Sequence, residues 1–237
     1  MHATIQKTFD EILTYLNGEE KVFIVGCGNC ATKCRSGGED QVKEMRLWLE
    51  GRGKEVTGWV VPTGTCKLSE VKDLLTGEHR DAVEGADSLL ILACGQGVHT
   101  VLDATEGRKM VHPGCDTIFG GETIDDNLIA EFCSLCGECI VEYTGGLCPL
   151  TLCPKGLLNG PCGGAIEGKC EVDRDRDCGW QLIYERLKAI DRMDLMHRYY
   201  APKDHSQWGR PRSLSLSDGA VFQSTAGVKS SPNKEGA

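Results

Sequence analysis

Eight of the fourteen cysteines in this chain are concentrated between residues 133 and 178. They are Cys133, Cys136, Cys139, Cys148, Cys153, Cys162, Cys170 and Cys178. The first three form two overlapping C-x2-C pairs, and two of the others precede a proline. A C-x2-C-x2-C run with a further cysteine before proline is the ligand pattern of bacterial-type four-iron clusters. Because each such cluster takes four thiolates, the stretch predicts two [4Fe–4S] clusters.

Glycines separate these cysteines, which permits tight turns and lets backbone N–H groups approach sulfur. Disulfides are one alternative, but they need an oxidising compartment, and the C-x2-C-x2-C spacing suits them poorly. Zinc is the stronger alternative, although four-cysteine zinc sites usually show two separated C-x2-C pairs. Spacing alone does not assign the cysteines to individual clusters, because ligands can cross between clusters.

A second group of cysteines follows strands that we predict in the first half of the chain. Its members are Cys27, Cys30, Cys34, Cys66 and Cys94. Because the carboxyl ends of parallel strands meet at one edge of a sheet, these thiols should gather there. They suit a metal site holding either zinc or a third [4Fe–4S] cluster. Cys27, Cys30 and Cys34 are the expected ligands, with Cys94 or Cys66 as the fourth.

The loop after the first strand also permits a different interpretation. Gly26, Gly28 and Ala31 match G-x-G-x-x-A, the fingerprint of a dinucleotide-binding turn. However, cysteines occupy the intervening positions, and no acidic residue clearly ends the second strand. Buried thiols without a metal are the third possibility for this group. Cys115 has no partner at ligand spacing, and we interpret it as a plain thiol.

Apolar runs and helical periodicity alternate through the first half of the chain. We predict helices over residues 3–17, 38–52, 69–75 and 96–105, and strands over 21–25, 56–61, 86–93 and 109–113. This alternation predicts a small flavodoxin-like or Rossmann-like α/β domain with a parallel sheet. Further helices are predicted over residues 125–132, leading into Cys133, and over 180–193.

The predicted organisation has four segments. They are an N-terminal helix (1–18), an α/β domain with the cysteine-rich loop (19–120), an iron–sulfur domain (121–196) and an extended tail (197–237). Residues 197–212 are aromatic and basic, and Tyr, Trp and Arg dominate interface hot spots, so we predict partner docking there. From Ser213 the chain is poor in apolar residues, which predicts mobility.

Composition excludes several classes of function. The formal net charge of -9 disfavours nucleic acid, whose phosphates attract basic proteins. No apolar run approaches the roughly 18 residues of a membrane span, and the charged start does not resemble a secretory signal. We therefore expect a cytoplasmic protein whose cysteines are thiolate ligands. No nucleophile–base arrangement or phosphate loop stands out, which leaves electron transfer as the predicted chemistry.

Several motifs also resemble a known family. They are NGPCGG around Cys162, GKCEV around Cys170, CGWQLIYERLK from Cys178 and FIVGCGNCATKC from Phe23. Together they resemble the methylenetetrahydrofolate reductase C-terminal family, the small cysteine-rich subunit of the acetogen-type enzyme. The resemblance extends from Val22 to about Tyr200.

The resemblance implies a partner, a catalytic (β/α)8 barrel that carries FMN or FAD and binds folate. The flavin would belong to that partner and not to this chain, which shows no dedicated folate or flavin site. This chain would be the non-catalytic electron-transfer subunit of the oxidoreductase, connecting the flavin to ferredoxin or to other electron-transfer subunits. The alternative is a zinc-binding structural adaptor in the same complex.

Overall fold

A computed structural model describes residues 1–203 and 205, and the backbone of short strands at 213–215 and 221–223. The chain divides into two units, Met1–Glu131 and Phe132–Ala237. No helix among the described residues is both long enough and apolar enough to cross a membrane.

The first unit contains the central helices and strands that the sequence predicts. It differs from the prediction in its first and last segments, and it has two further short helices at residues 30–33 and 80–85. In chain order its elements are β1 (His2–Gln6), α1 (Phe9–Tyr15), β2 (Lys21–Val25), α2 (Cys30–Lys33), α3 (Glu39–Glu50), β3 (Glu55–Val60), α4 (Leu68–Asp73), α5 (Arg80–Gly85), β4 (Ser88–Ile91), α6 (Gly95–Ala104), β5 (Met110–Pro113), β6 (Cys115–Gly120), β7 (Glu122–Asp125) and β8 (Leu128–Ala130). A π-helical turn, Leu74–Glu78, continues α4.

A four-stranded parallel sheet forms the centre of this unit, with the order β3-β2-β4-β5. All three pairs of neighbouring strands are parallel. Counted along the chain, these four strands have the order 2-1-3-4, which begins the flavodoxin-type arrangement. The predicted mixed α/β architecture with a parallel sheet is therefore confirmed.

Helices cover both faces of the sheet. Val25 and Ile91 pack in a cluster with residues of α4, α5 and α6. Ile24 and Leu90, one position earlier in the same strands, pack in a second cluster with residues of α1 and α3. Strands that are buried on both faces carry continuous apolar runs instead of alternating ones, as β2 and β4 do.

Residues 3–17 do not form the single helix that we predicted. Residues 2–6 form β1, which pairs antiparallel with β6. The helix begins only at Phe9, because Thr8 Oγ1 accepts a hydrogen bond from the Glu11 N–H at 3.2 Å and caps it. Ile5 is exposed on this strand and does not belong to the buried face of a helix.

The predicted helix over residues 125–132 is also wrong. β7 and β8 form an antiparallel hairpin there. At the turn, the Asn127 N–H donates to Asp125 Oδ1 at 2.7 Å. Side-chain-to-backbone bonds of this kind offer the chain an alternative to a helix and favour its reversal.

The second unit has little regular structure among its described residues. Its elements are α7 (Pro149–Leu152), α8 (Gly179–Ala189), β9 (Ser213–Ser215) and β10 (Val221–Gln223), with 3-10 turns at Val141–Thr144 and Met193–His197. The helix α8 matches the prediction over 180–193 but ends earlier. The small apolar core of the second unit consists of Trp180, Ile183, Leu187 and Leu195, with partly buried side chains around them.

The aromatic and basic segment 197–212 is described only at its start. The Tyr200 N–H donates to Asn159 Oδ1 at 2.7 Å, and the Tyr200 carbonyl accepts from Asn159 Nδ2 at 3.0 Å. Residues 204 and 206–212 lie outside the described residues, as does the tail predicted to be mobile, apart from β9 and β10. Partner docking by this segment therefore stays a prediction.

Two leucines of α3 test the assigned packing. Leu49 is fully buried, whereas Leu47 on the same helix is 69% exposed. Leu49→Ala should lower the free energy of unfolding by about 2–5 kcal/mol, because it leaves a cavity in the core. Leu47→Ala should change it by about 0.5 kcal/mol at most. Urea unfolding followed by circular dichroism measures both, and equal losses would contradict this packing of α3.

Candidate metal centres

Cys27 and Cys94 follow the two strands between which the sheet order reverses. The chain leaves β2 toward β3 on one side of the sheet, and it leaves β4 toward β5 on the other. In an open α/β sheet this reversal creates a crevice at the carboxyl ends of the two strands, where ligands bind. The topology therefore places both thiols at the binding edge of the sheet.

Backbone groups surround the buried sulfur of Cys27. Burial by itself would raise the pKa of this thiol. Backbone hydrogen bonds from Thr65, Asn29 and Ala31 outweigh that effect, so the pKa lies below that of an ordinary cysteine. Thr65 is itself fixed, because its Oγ1 donates to the Gly26 carbonyl at 2.6 Å. A buried thiol with a lowered pKa is suited to bind a metal as the thiolate.

Cys94 is the N-cap residue of α6. Burial raises the pKa of its thiol, while the backbone at Gly97 and Gln96 acts in the opposite direction. The charges of Cys27 and Cys30 raise the pKa further. A bound cation would remove the mutual repulsion of their thiolates.

The remaining cysteines of the first unit are placed differently. Cys34 follows α2, and its Sγ accepts a hydrogen bond from the Thr4 N–H at 3.4 Å. Cys115 is buried, which raises the pKa of its thiol to about 12, so it stays protonated at neutral pH and fits the interpretation as a plain thiol. Cys66 is exposed on the loop after β3. Cys94 is buried whereas Cys66 is exposed, and the choice between them as the fourth ligand stays a prediction.

The loop with the G-x-G-x-x-A match is not shaped to hold a pyrophosphate. The N–H groups of Gly26, Cys27 and Gly28 all donate to backbone carbonyls of the protein itself, each at 2.8 Å. A dinucleotide site needs such N–H groups free, at the start of a substantial helix. Here the following helix α2 has only four residues. The geometry thus favours the thiols of this loop as its functional groups.

The eight cysteines of the second unit lie in turns and at helix ends. Cys148 and Cys153 flank α7, and Cys178 is the N-cap residue of α8. The positive end of a helix dipole favours a thiolate at the N-terminus. Cys170 is buried, Cys136, Cys148, Cys153 and Cys178 are half-buried, and Cys133, Cys139 and Cys162 are exposed.

Two turns in this unit show the same contact between a cysteine and the backbone. The Leu135 N–H donates to Cys133 Sγ at 3.4 Å, and the Gly164 N–H donates to Cys162 Sγ at 3.4 Å. Leu135 has a φ of 54°, a left-handed conformation that is uncommon for leucine. Local strain of this kind is concentrated at functional sites. Both turns therefore direct an N–H group toward a candidate ligand sulfur.

Lys203 is a buried cation beside one of the C-x2-C cysteines. It is 8% exposed, and its ammonium donates to Cys136 Sγ at 3.2 Å and to the Glu138 carbonyl. Burial alone would raise the pKa of the Cys136 thiol, but hydrogen bonds to the Glu138 backbone and Lys203 lower it. No sequence pattern indicates this contact, because Lys203 lies far along the chain from Cys136, in the segment where we predict partner docking.

The described residues contain no group of three or more His, Cys, Asp or Glu side chains close enough to hold a metal ion. The chain alone therefore does not bring its thiols to coordination distance. Their chemistry nevertheless fits thiolate ligation, because backbone N–H groups contact several of the sulfurs and a buried ammonium contacts another. The individual ligand assignments, and the division of the eight cysteines between two clusters, stay predictions.

Residues 112–206 match the family model described as methylene-tetrahydrofolate reductase C terminal. The matched region is less than half of the chain, but it contains all eight cysteines of the second unit. The match confirms the predicted resemblance for residues 112–206 and relates the chain to a methylenetetrahydrofolate reductase complex. The FIVGCGNCATKC motif lies outside it. No curated protein and no solved structure matches the chain.

The contact between Lys203 and Cys136 can be tested in the metal-free protein. Lys203→Met removes the ammonium that favours the thiolate, so alkylation of Cys136 by iodoacetamide at pH 7 should slow by about three-fold or more. Peptide mass spectrometry measures this rate. Lys188→Met, on the exposed side of α8, is the control and should leave the rate unchanged. Equal rates in both variants would show that the ammonium does not act on this thiol.

The choice of fourth ligand in the first unit can be tested by metal analysis. Cys94→Ser should lower the metal content of the full-length protein as much as Cys30→Ser does, because both remove a ligand from one site. Cys66→Ser should leave the content unchanged. The reverse result, a loss with Cys66→Ser alone, would place the fourth ligand on the loop after β3.

Proposed function

We propose that this chain is an electron-transfer subunit of a methylenetetrahydrofolate reductase complex. In this role it passes electrons through [4Fe–4S] clusters to or from the flavin of a catalytic (β/α)8 partner. Ferredoxin or another electron-transfer subunit would be at the other end of the path. The observation that carries the proposal is the position of the eight-cysteine region inside the part of the chain that matches the reductase family.

The surroundings of the thiols support redox clusters in the second unit. The potentials of iron–sulfur clusters depend on net charge, solvent exposure and hydrogen bonds to sulfur. The N–H contacts at Cys133 and Cys162 and the Lys203 ammonium at Cys136 are interactions of this kind. When bound, such clusters supply one-electron chemistry, and the residues of the chain hold them and set their potentials.

The exposure of several candidate ligands also supports this role. Cys133, Cys139 and Cys162 are exposed, so a cluster bound by them would lie near the surface. Electron exchange with a partner requires a redox centre close to the contact surface, and weak redox encounters use small interfaces. An iron–sulfur centre buried deep in the unit would not meet this requirement.

In the first unit we propose a third metal site, zinc or [4Fe–4S], at the crevice between β2 and β4. Cys27, Cys30, Cys34 and Cys94 are its proposed ligands. The lowered pKa of Cys27, and the raising effect of the Cys27 and Cys30 charges on the pKa of Cys94, support this assignment. The thiol donors suit either metal, because both zinc and iron–sulfur clusters take four cysteines.

A zinc-binding structural adaptor is the second candidate function, and the small core of the second unit favours it. Only four apolar side chains form the buried part of that core among the described residues. A unit with so little buried apolar surface depends on other contributions to its folding free energy, which metal binding can provide. The same thiolates would then hold zinc and keep the unit folded for a partner.

Metal and sulfide analysis with EPR of the reduced protein separates the two functions. For anaerobically purified protein we expect about eight irons with matching sulfide, or about twelve if the first unit also holds a cluster. Cys30→Ser should lower the metal content without removing the absorbance of the clusters in the second unit. Zinc without iron would contradict the electron-transfer proposal and support the zinc-binding structural adaptor.

A further inference from the structure

We propose that β1 is part of the metal site of the first unit and supplies backbone N–H groups to two of its thiolates. The His2 N–H approaches Cys30 Sγ at 3.5 Å, and the Thr4 N–H approaches Cys34 Sγ at 3.4 Å. These two sulfurs stand at the two ends of α2. A single strand edge therefore contacts both ends of the ligand-bearing helix. This inference rests on the proposed metal site in the crevice.

The direction of these N–H groups follows from strand geometry. In an antiparallel pair, successive residues of an edge strand direct their N–H groups alternately toward the partner strand and away from it. The Lys7 N–H donates to the Gly114 carbonyl and the Met1 ammonium donates to the Gly121 carbonyl, both on the side of β6. The N–H groups of His2 and Thr4 point to the other side, where β1 would otherwise present unpaired N–H groups. The thiols occupy this edge in place of another strand.

The position of β1 is fixed independently of the thiols. Its five residues pair with β6, and the Thr4 and Ser36 hydroxyls are 2.7 Å apart and buried. Ser36 lies two residues after Cys34, so this bond holds the strand against the segment that carries the ligands. The strand and its N–H groups are therefore held in position by contacts that do not involve the proposed metal.

The chemical consequence is stabilisation of negative charge on the ligands. An N–H···S bond favours the thiolate over the thiol, and outer contacts of this kind typically change metal affinity about 10–100-fold. The Cys34 thiol also donates to the His2 carbonyl at 3.6 Å. A thiolate ligand has no proton to donate, and it keeps only the acceptor role toward the Thr4 N–H.

Proline substitution removes the N–H group without shortening the strand. Proline is tolerated in an edge strand where the N–H points away from the partner, which is the situation at Thr4. Thr4→Pro loses both the N–H and the hydroxyl bond to Ser36, whereas the matched control Thr4→Ala loses only the hydroxyl bond. His2→Pro and His2→Ala form a second pair, placed at the end of the strand where pairing contributes least to folding.

The measurement is the rate at which the full-length protein loses iron and zinc to excess EDTA under anaerobic conditions. The metal that the Cys30→Ser variant lacks, compared with the wild-type protein, identifies the metal of the first unit. We expect Thr4→Pro to lose that metal at least ten-fold faster than Thr4→Ala, and His2→Pro to lose it faster than His2→Ala. Equal rates within both pairs would overturn the role of β1 and leave the metal site intact. A Cys30→Ser variant that keeps all its metal would overturn the site and this inference together.

A direct measurement remains if the proline variants do not fold. The wild-type protein, labelled with 15N and reconstituted with 113Cd, should show scalar coupling between the bound metal and the amide protons of His2 and Thr4. Such coupling passes through the N–H···S bond and does not arise from packing alone. Its absence at both amides, in protein whose 113Cd signal is lost with Cys30→Ser, would contradict the proposal.

Discussion

Stabilisation of thiolate charge is the constraint that links the contacts described in both units. In the first unit burial raises the pKa of the Cys94 thiol, and the charges of Cys27 and Cys30 act in the same direction, so ionising these thiols together requires compensation. A metal cation supplies most of that compensation in a thiolate site. The protein contributes partial positive charge through backbone N–H groups near the sulfurs. In the second unit it also contributes a full charge, the Lys203 ammonium at Cys136.

The fold of the first unit explains how so many sulfurs can share one edge of a sheet. A parallel sheet aligns the carboxyl ends of its strands, and the reversal of strand order between β2 and β4 opens a crevice there. Clusters of apolar side chains on both faces of the sheet hold these strands. The loops after them can then carry cysteines such as Cys27, which packs against apolar side chains while its backbone N–H donates to the Gly37 carbonyl.

Much of the sheet could be predicted from sequence because buried parallel strands carry a strong local signal, as in the run from Lys21 to Val25. The strand β1 could not, since Ile5 fits a helical stripe equally well and its pairing with β6 is a long-range contact. The candidate cysteines were evident from their spacing. Their partners, such as Lys203 and Thr4, were not, because contacts between distant residues leave no periodic pattern.

The two units differ in what holds them together, and this difference bears on what a metal would do in each. The first unit has an extensive apolar core on both faces of its sheet, so its fold does not depend on ligation. The second unit has a small core and turns built around cysteines, so a metal bound there would add directly to its folding free energy. A bound cluster in the second unit would therefore carry redox chemistry and hold the fold at once. A metal in the first unit would act on a scaffold that is already formed.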